Sequence, residues 1–362
     1  MKIPFTGLKR QYKQLRDELL DVTDSVLSSG QLMNGKYTRN FEDWLARTNH
    51  SEYAITCHSG TQALEIIAEY SIEYTGVPHP PTVLIPTLTY AATANAFIRA
   101  GWDVVFIDTD NYGLFNINAV PDTSYQAILL VGLYGSSLSN FNGVKWWNYW
   151  TRSDKLIIED GAQHWLANNS MRVGEATAIS FDPTKNLSAY GNGGAIITDS
   201  QDLASFARKW RGNGKPDGDV AGTNSRMSEL ECALMLLKTQ YLHEWQQRRA
   251  AISRHYIERF KDSPVRCLID DTNIDEHAHH KFVIEVDRRD QLQDTLLELG
   301  IETKIHYEQP LHEIGIYRQY TGPSMLSAAS SLSRRCLSLP IYPELTDSEV
   351  DVIADRVLNF FS

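Results

Sequence analysis

The chain has 362 residues, enough for about two domains rather than one small core. Its 42% hydrophobic and 22% charged content is that of a soluble globular protein, and a net charge of −11 argues against a nucleic-acid or anionic-membrane surface. The start, Met1-Lys2-Ile3-Pro4-Phe5, carries no long apolar run, and no stretch approaches the roughly 20 apolar residues of a membrane span, so a cytoplasmic protein is expected. Cys57, Cys232, Cys267 and Cys336 are scattered, fit no metal pattern and read as free thiols.

Residues 12–28 have the apolar spacing of an amphipathic helix, which Gly30 and Gly35 end. Short β-branched runs then alternate with helical stretches. Strands are predicted over 53–57, 83–85, 104–107, 127–131, 156–158, 176–181 and 195–198, with helices over 60–70 and 91–99. Continuous apolar strands between helices imply an α/β fold whose mostly parallel sheet is buried on both faces. Residues 203–211 read as a helix and Gly212 to Gly218 as a loop. One long helix is predicted from Ser228 to about Phe260, with Ser228 as N-cap and Glu231 three residues on. A smaller alternation follows: a strand over 282–286, a helix over 289–299 and a strand over 303–305. The expected division is a large domain over 1–245 and a small one over 246–362.

Lys185 stands between two predicted buried strands, in Ser180-Phe181-Asp182-Pro183-Thr184-Lys185-Asn186-Leu187 ahead of Gly191-Asn192-Gly193-Gly194. An amine there can form a Schiff base if burial and neighbouring charge bring its pKa toward neutrality. Other strand ends carry matching chemistry. Ser59-Gly60-Thr61 offers N–H groups, hydroxyls and a helix dipole to a phosphate. Asp160, in Glu159-Asp160-Gly161-Ala162-Gln163-His164, can pair with a protonated ring nitrogen. Tyr90, in Thr87-Leu88-Thr89-Tyr90, can stack on a ring. Each signal alone is weak. Together, at strand ends where α/β sheets hold ligands, they are the parts of a pyridoxal phosphate site.

At these residues the chain resembles the DegT/DnrJ/EryC1/StrS sugar aminotransferases, of the aspartate aminotransferase fold type I. Phe41-Glu42, His58 to Leu64, Pro86 to Ala96, Glu159 to Gln163, Ser180 to Leu187, Gly222 to Leu230, Ile305-His306-Tyr307 and Pro310-Leu311-His312 carry the likeness over nearly the whole chain. The resemblance implies that Lys185 forms the internal aldimine with pyridoxal 5'-phosphate and serves as acid/base, the cofactor passing through pyridoxamine phosphate. It implies that Asp160 holds the pyridine nitrogen protonated, Gln163 contacts the ring or its phenolic oxygen, and Tyr90 stacks. Ser59, Gly60, Thr61 and Ser180 would bind the phosphate. Asn224 would reach the phosphate of a neighbouring subunit, implying a homodimer with shared active sites. Helix 228–260 would link the two domains. The implied substrates are nucleotide-linked ketosugars with glutamate as amino donor. The Pro-Thr-Lys-Asn-Leu form resembles members that aminate deoxyhexoses on dTDP, at C-3 or C-4. Tyr190, His306 and Tyr307 are candidates for the sugar or diphosphate side.

Departures from the family pattern concern substrate more than chemistry. Asp182 stands where relatives carry an aromatic or histidine, and if it points inward it raises the Lys185 pKa. Asn192 replaces an acidic residue, segment 165–170 is short, and 133–137 lacks a proline. His277, His279 and His280 read as the lead into a strand, since they fit no metal-ligand spacing. The aromatic run 146–150 reads as helix packing. Two rivals remain. One is a same-fold sugar dehydratase, which has histidine at the Schiff-base position. The other is a non-enzymatic regulatory protein, for which loss of Lys185 or Asp160 would speak.

Overall fold

The computed structural model describes residues 2–74, 76, 79–122, 124–138, 155–167, 173–269, 271–320 and 325–362. The aromatic run 146–150 and residues 168–170 of the short segment lie outside the described residues. Seven strands form the larger sheet: β1 (Tyr53–Cys57), β2 (Thr82–Pro86), β3 (Asp103–Ile107), β4 (Ala127–Val131), β5 (Leu156–Asp160), β6 (Ala176–Ser180) and β7 (Gly194–Thr198). Their order is β1-β7-β6-β5-β4-β2-β3. β7 runs antiparallel to both neighbours, and the other pairings are parallel. β1 therefore points the same way as β6, and the carboxyl ends of β1, β2, β5 and β6 share one edge.

The described helices of ordinary length are α1 (Leu8–Ser29), α2 (Lys36–Thr48), α3 (Gly60–Tyr74), α4 (Ala91–Arg99), α5 (Gln201–Trp210), α6 (Glu229–Thr239), α7 (Leu242–Phe260), α8 (Arg289–Glu298), α9 (Ser327–Arg335) and α10 (Asp347–Asn359). Both faces of the sheet are covered, which is why its strands read as unbroken apolar runs. Val83, Ile85 and Phe106 pack with Ile67 of α3, Phe97 of α4 and Phe206 of α5. On the opposite face, Ile179 and Ile197 meet Phe41 of α2 and Met235 of α6. Leu84, Ile128 and Leu130 meet Leu332 of α9.

A second, antiparallel sheet runs β10 (Cys336–Leu339), β9 (Phe282–Glu285), β8 (Arg266–Cys267). Tyr256, Phe260, Phe282, Ile353 and Val357 fill its core, and Ile3 joins them. The Ile3 N–H donates to the Gly300 carbonyl at 2.8 Å, so the chain's start is stitched onto this later unit. No described helix is long and apolar enough to cross a membrane.

The structure corrects two sequence expectations. The predicted helix 228–260 is two helices, α6 and α7, parted at Gln240 and Tyr241. The Gln240 and Tyr241 N–H groups donate three residues back, to Leu237 and Lys238, tightening the last turn. Below the break, Leu234 and Leu237 pack against Leu15 and Leu19 of α1; above it, Ile252 and Tyr256 serve the second sheet. Ser228 does cap α6, its side chain accepting from the Glu231 N–H. The second correction is segment 303–305, which makes only a bridge between Lys304 and Ser338 before turning into the site.

Helix α2 was not legible, for a physical reason. Its N-cap is Gly35, which has no side chain to satisfy the helix start. Glu229, 194 residues away, does this instead. Its carboxylate accepts from the N–H groups of Gly35 (2.8 Å), Tyr37 (2.6 Å) and Thr38 (3.1 Å) and from the Thr38 hydroxyl (2.6 Å). A Cβ on Gly35 would lie 2.3 Å from Glu229 Oε1, so any side chain there would push the capping carboxylate aside. Burial alone would raise the Glu229 pKa, but these hydrogen bonds hold it below the usual carboxylate range.

Glu229→Ala should strand these donors and lower unfolding free energy by about 3 kcal/mol in urea titrations, with Glu229→Gln retaining part of the loss. A second carboxylate gives a pH signature. Glu349 takes a two-pronged bond from Arg10 and is held down to about 2, first by that bond. Its contribution is full above the unfolded carboxyl value of about 4.3 and fades as pH falls toward 2. The Tm gap between wild type and Glu349→Gln should therefore be widest near neutrality and close in acid.

Candidate active site

The phosphate-like cradle begins where β1 ends. Ser59 caps α3, its hydroxyl accepting from the Gln62 N–H at 3.2 Å and its carbonyl from the Ala63 N–H at 3.0 Å. The Gly60 and Thr61 N–H groups are left without a partner among the described residues, at the positive end of the helix. The helix start is pressed against the sheet edge. A Cβ on Gly60 would sit 2.8 Å from the Ser180 Cβ, and one on Gly194 only 2.3 Å from the Ser59 carbonyl carbon. Ser59, Gly60, Thr61 and Ser180 thereby face one cavity of about 410 Å³.

Asp160, the last residue of β5, is buried in the same cavity. Its Oδ2 accepts from the Thr93 hydroxyl on α4 at 2.8 Å, and its Oδ1 from the Ala162 N–H at 3.1 Å. Thr93 is held in turn by Thr89, 2.9 Å away. Gln163 spans two groups: its Oε1 accepts from the Tyr134 N–H at 2.8 Å, and its Nε2 donates to the Tyr307 hydroxyl at 3.2 Å. Burial, then the Asp160 charge, push the Tyr307 phenol well above its ordinary pKa, so it stays protonated. Tyr90 stands at the N-cap of α4, largely exposed, with its ring 6.2 Å from that of Tyr307.

Lys185 lies at the base of the cavity. Burial lowers its pKa, and the charges of Asp160 and then Asp182 oppose that shift without cancelling it. Asp182 is thus the weakest of the three influences. Its Oδ1 is engaged by the Thr184 N–H (2.9 Å) and hydroxyl (2.6 Å) in its own turn. The next residue fixes the loop. Asn186 donates to the Ala278 carbonyl (2.6 Å) and to Gln246 (3.0 Å), and its Oδ1 lies 3.1 Å from His280 Nδ1. His306 is anchored by Ser338 at 2.8 Å, and burial drives its pKa down to about 3.

Of the site residues expected from sequence, Ser59, Gly60, Thr61, Tyr90, Asp160, Gln163, Ser180, Lys185, His306 and Tyr307 meet in this cavity. Tyr190 and Asn224 are not among its lining. Tyr190 is exposed, with Lys238 Nζ 3.9 Å above its ring, and Asn224 accepts from Arg226 at 3.0 Å on the surface. Sequence reasoning missed Thr93, which orients Asp160, and the cavity residues His280 and Lys281. The His279-His280-Lys281 run was the available signal for the last two. His277, His279 and His280 are all buried, and burial lowers the pKa of each. They hold packed segments together: His279 contacts Ser253 at 2.9 Å and His280 contacts Asn186.

With this geometry in hand, comparison with known proteins is decisive. The model of the DegT/DnrJ/EryC1/StrS aminotransferase family matches residues 13–358. The chain belongs to this family. It is 33% identical to the erythromycin biosynthesis sensory transduction protein EryC1 of Saccharopolyspora erythraea, over 97% of each chain. It is 30% identical to the dTDP-3-amino-3,4,6-trideoxy-alpha-D-glucose transaminase of Streptomyces venezuelae, over 98% of this chain and 95% of that one. Among solved structures, S. venezuelae DesV in complex with a ketimine intermediate superposes with a TM-score of 0.91 at 28% identity, covering 100% of this chain and 99% of that chain. The protein is a sugar aminotransferase dependent on pyridoxal phosphate. The residues present fit that cofactor: free N–H groups in a cradle that a Cβ would fill, a buried carboxylate and a lysine of lowered pKa.

Gly60→Ala should drive α3 off Ser180 and open the cradle. Affinity of the apoprotein for pyridoxal phosphate, followed by its visible absorbance, should fall at least ~10-fold, the equivalent of one lost hydrogen bond of about 1.4 kcal/mol. Circular dichroism should stay unchanged.

Proposed function

We propose that the protein moves an amino group from L-glutamate to a keto-deoxysugar carried on a nucleotide, most simply dTDP, at C-3 or C-4. The observation that carries this reading is the depressed lysine at the strand edge, sharing one cavity with Asp160 and the α3 cradle. The dTDP-sugar named for the S. venezuelae transaminase and the Pro-Thr-Lys-Asn-Leu form of the lysine turn support the choice of carrier.

Each residue has a role in this reading. The Gly60 and Thr61 N–H groups and the Ser59 and Ser180 hydroxyls hold the cofactor phosphate. When bound, the cofactor supplies an electron sink for the carbon that loses its proton. Asp160, fixed by Thr93, keeps the ring nitrogen protonated. Lys185 is the nucleophilic amine, its pKa lowered by burial, and its Nζ carries the proton between carbons. Tyr90 covers the ring, and Gln163 bonds its phenolic oxygen. His306 and Tyr307 face the sugar. Tyr190 and Asn224, exposed and outside their own cavity, serve the neighbouring subunit's site in a homodimer, Asn224 at the phosphate. We place this enzyme in the cytoplasm, with a large cofactor-binding unit over 1–245 and a small unit over 246–362. A dehydratase reading is disfavoured because Lys185 occupies the Schiff-base position.

The purified protein should absorb in the visible, and L-glutamate should bleach that band. Lys185→Ala should lose the band and at least ~10³-fold of turnover. Retention of both by the variant would sink the proposal. Parallel assays with dTDP- and UDP-linked ketosugars report the carrier.

A further inference from the structure

The cavity holds a second lysine that the chemistry above does not use. Lys281 precedes β9, is only 8% exposed, and lines the cavity with Lys185, His280 and His306. Its N–H is bound to the Tyr134 carbonyl at 2.9 Å, which fixes the backbone. Its Nζ lies 5.1 Å from the centre of the Phe5 ring. Among the described residues no carboxylate forms an ion pair with it. A buried cation without a counter-charge is costly, and burial, Lys185 and Arg249 together bring its pKa down to about 7, with Asp182 opposing. The neighbouring His280 and His306 supply neither a counter-charge nor a competing cation, since burial holds both neutral.

A second, small cavity adjoins the first and shares Thr184, Lys185, His280 and Lys281 with it. The two amines therefore border the same space. The cofactor phosphate is provided for elsewhere, at Ser59 to Thr61 and Ser180. The free cation beside Lys185 is left for an anionic group on whatever molecule reacts there.

We propose that Lys281 is the anchor for the α-carboxylate of the amino donor, and so a binding residue that selects an amino acid in the first half-reaction. The chemistry favours this source over a nucleotide diphosphate. An α-amino acid carries its carboxylate on the same carbon as the reacting nitrogen, so that group must lie beside Lys185. A nucleotide sugar carries its diphosphate on the anomeric carbon, two or three ring atoms from C-3 or C-4. A lysine whose pKa is near neutrality also suits a site visited in turn by an anionic donor and an uncharged sugar ring. The proposal rests on the aminotransferase reading above.

The test uses the cofactor-loaded protein and glutarate, a dicarboxylate with no amine, in calorimetric titrations near pH 6.5. Lys281→Met should weaken glutarate at least ~10-fold, and Lys281→Arg should restore most of the loss. In the donor half-reaction, Lys281→Met should raise KM for L-glutamate at least ~10-fold and change the saturating rate less. The acceptor half-reaction, started from protein loaded with pyridoxamine phosphate, should keep its KM for a dTDP-ketosugar within about twofold. Lys281→Gln provides the same reading should the Met variant fold poorly. Unchanged glutarate binding overturns the proposal. So does a defect confined to the ketosugar, which would assign the cation to the diphosphate. Failure of L-glutamate to bleach the wild-type protein would instead refute the donor named above, while glutarate binding would still report on Lys281.

Discussion

The site depends on how closely the start of α3 approaches the sheet edge. Gly194 of β7 lies in register between Cys57 of β1 and Ser180 of β6. Because β7 alone is reversed, β1 and β6 run the same way on either side of it. Two carboxyl ends and a helix N-terminus then converge within a few ångströms. Any side chain at Gly60 or Gly194 would push them apart. The cradle is thus a consequence of topology and of two missing Cβ atoms.

Charge in the cavity is balanced in the same economical way. Asp160 is fixed by two donors, and its charge opposes without cancelling the burial that lowers the Lys185 pKa. Asp182 is occupied with Thr184. Asn186 ties the lysine turn to the 278–280 segment, so the large sheet and the small unit set the amine's position together. Thr93 does for Asp160 what Asn186 does for the lysine turn.

The sheet was legible because strands buried on both faces must be apolar throughout, and its strand ends carried the cofactor chemistry in short local motifs. What was not legible came from distant partners. Helix α2 has a glycine at its start because Glu229 of α6 is its cap. The α6–α7 break has no proline or glycine to announce it; the tightened turn at Gln240 and Tyr241 makes it. Lys281 was hidden by its company, since a histidine run draws attention to metals and away from the amine that follows it. Tyr190 and Asn224 show the limit from the other side: a motif gives a residue's family place but not whether it lines the cavity, and both are exposed outside it.

Ile3 gives the fold an order in time. It is fully buried among Ile301, Ile353 and Val357, near the other end of the chain. Ile3 therefore waits for residues about 300 to 350 positions later in synthesis before that core can close. At about 5–20 residues per second, some 20–70 seconds of synthesis separate the two. The large sheet, complete by Thr198, has its strands available well before then. Ile3 thus acts as a latch, set onto the second core after the strands of the large sheet are all available.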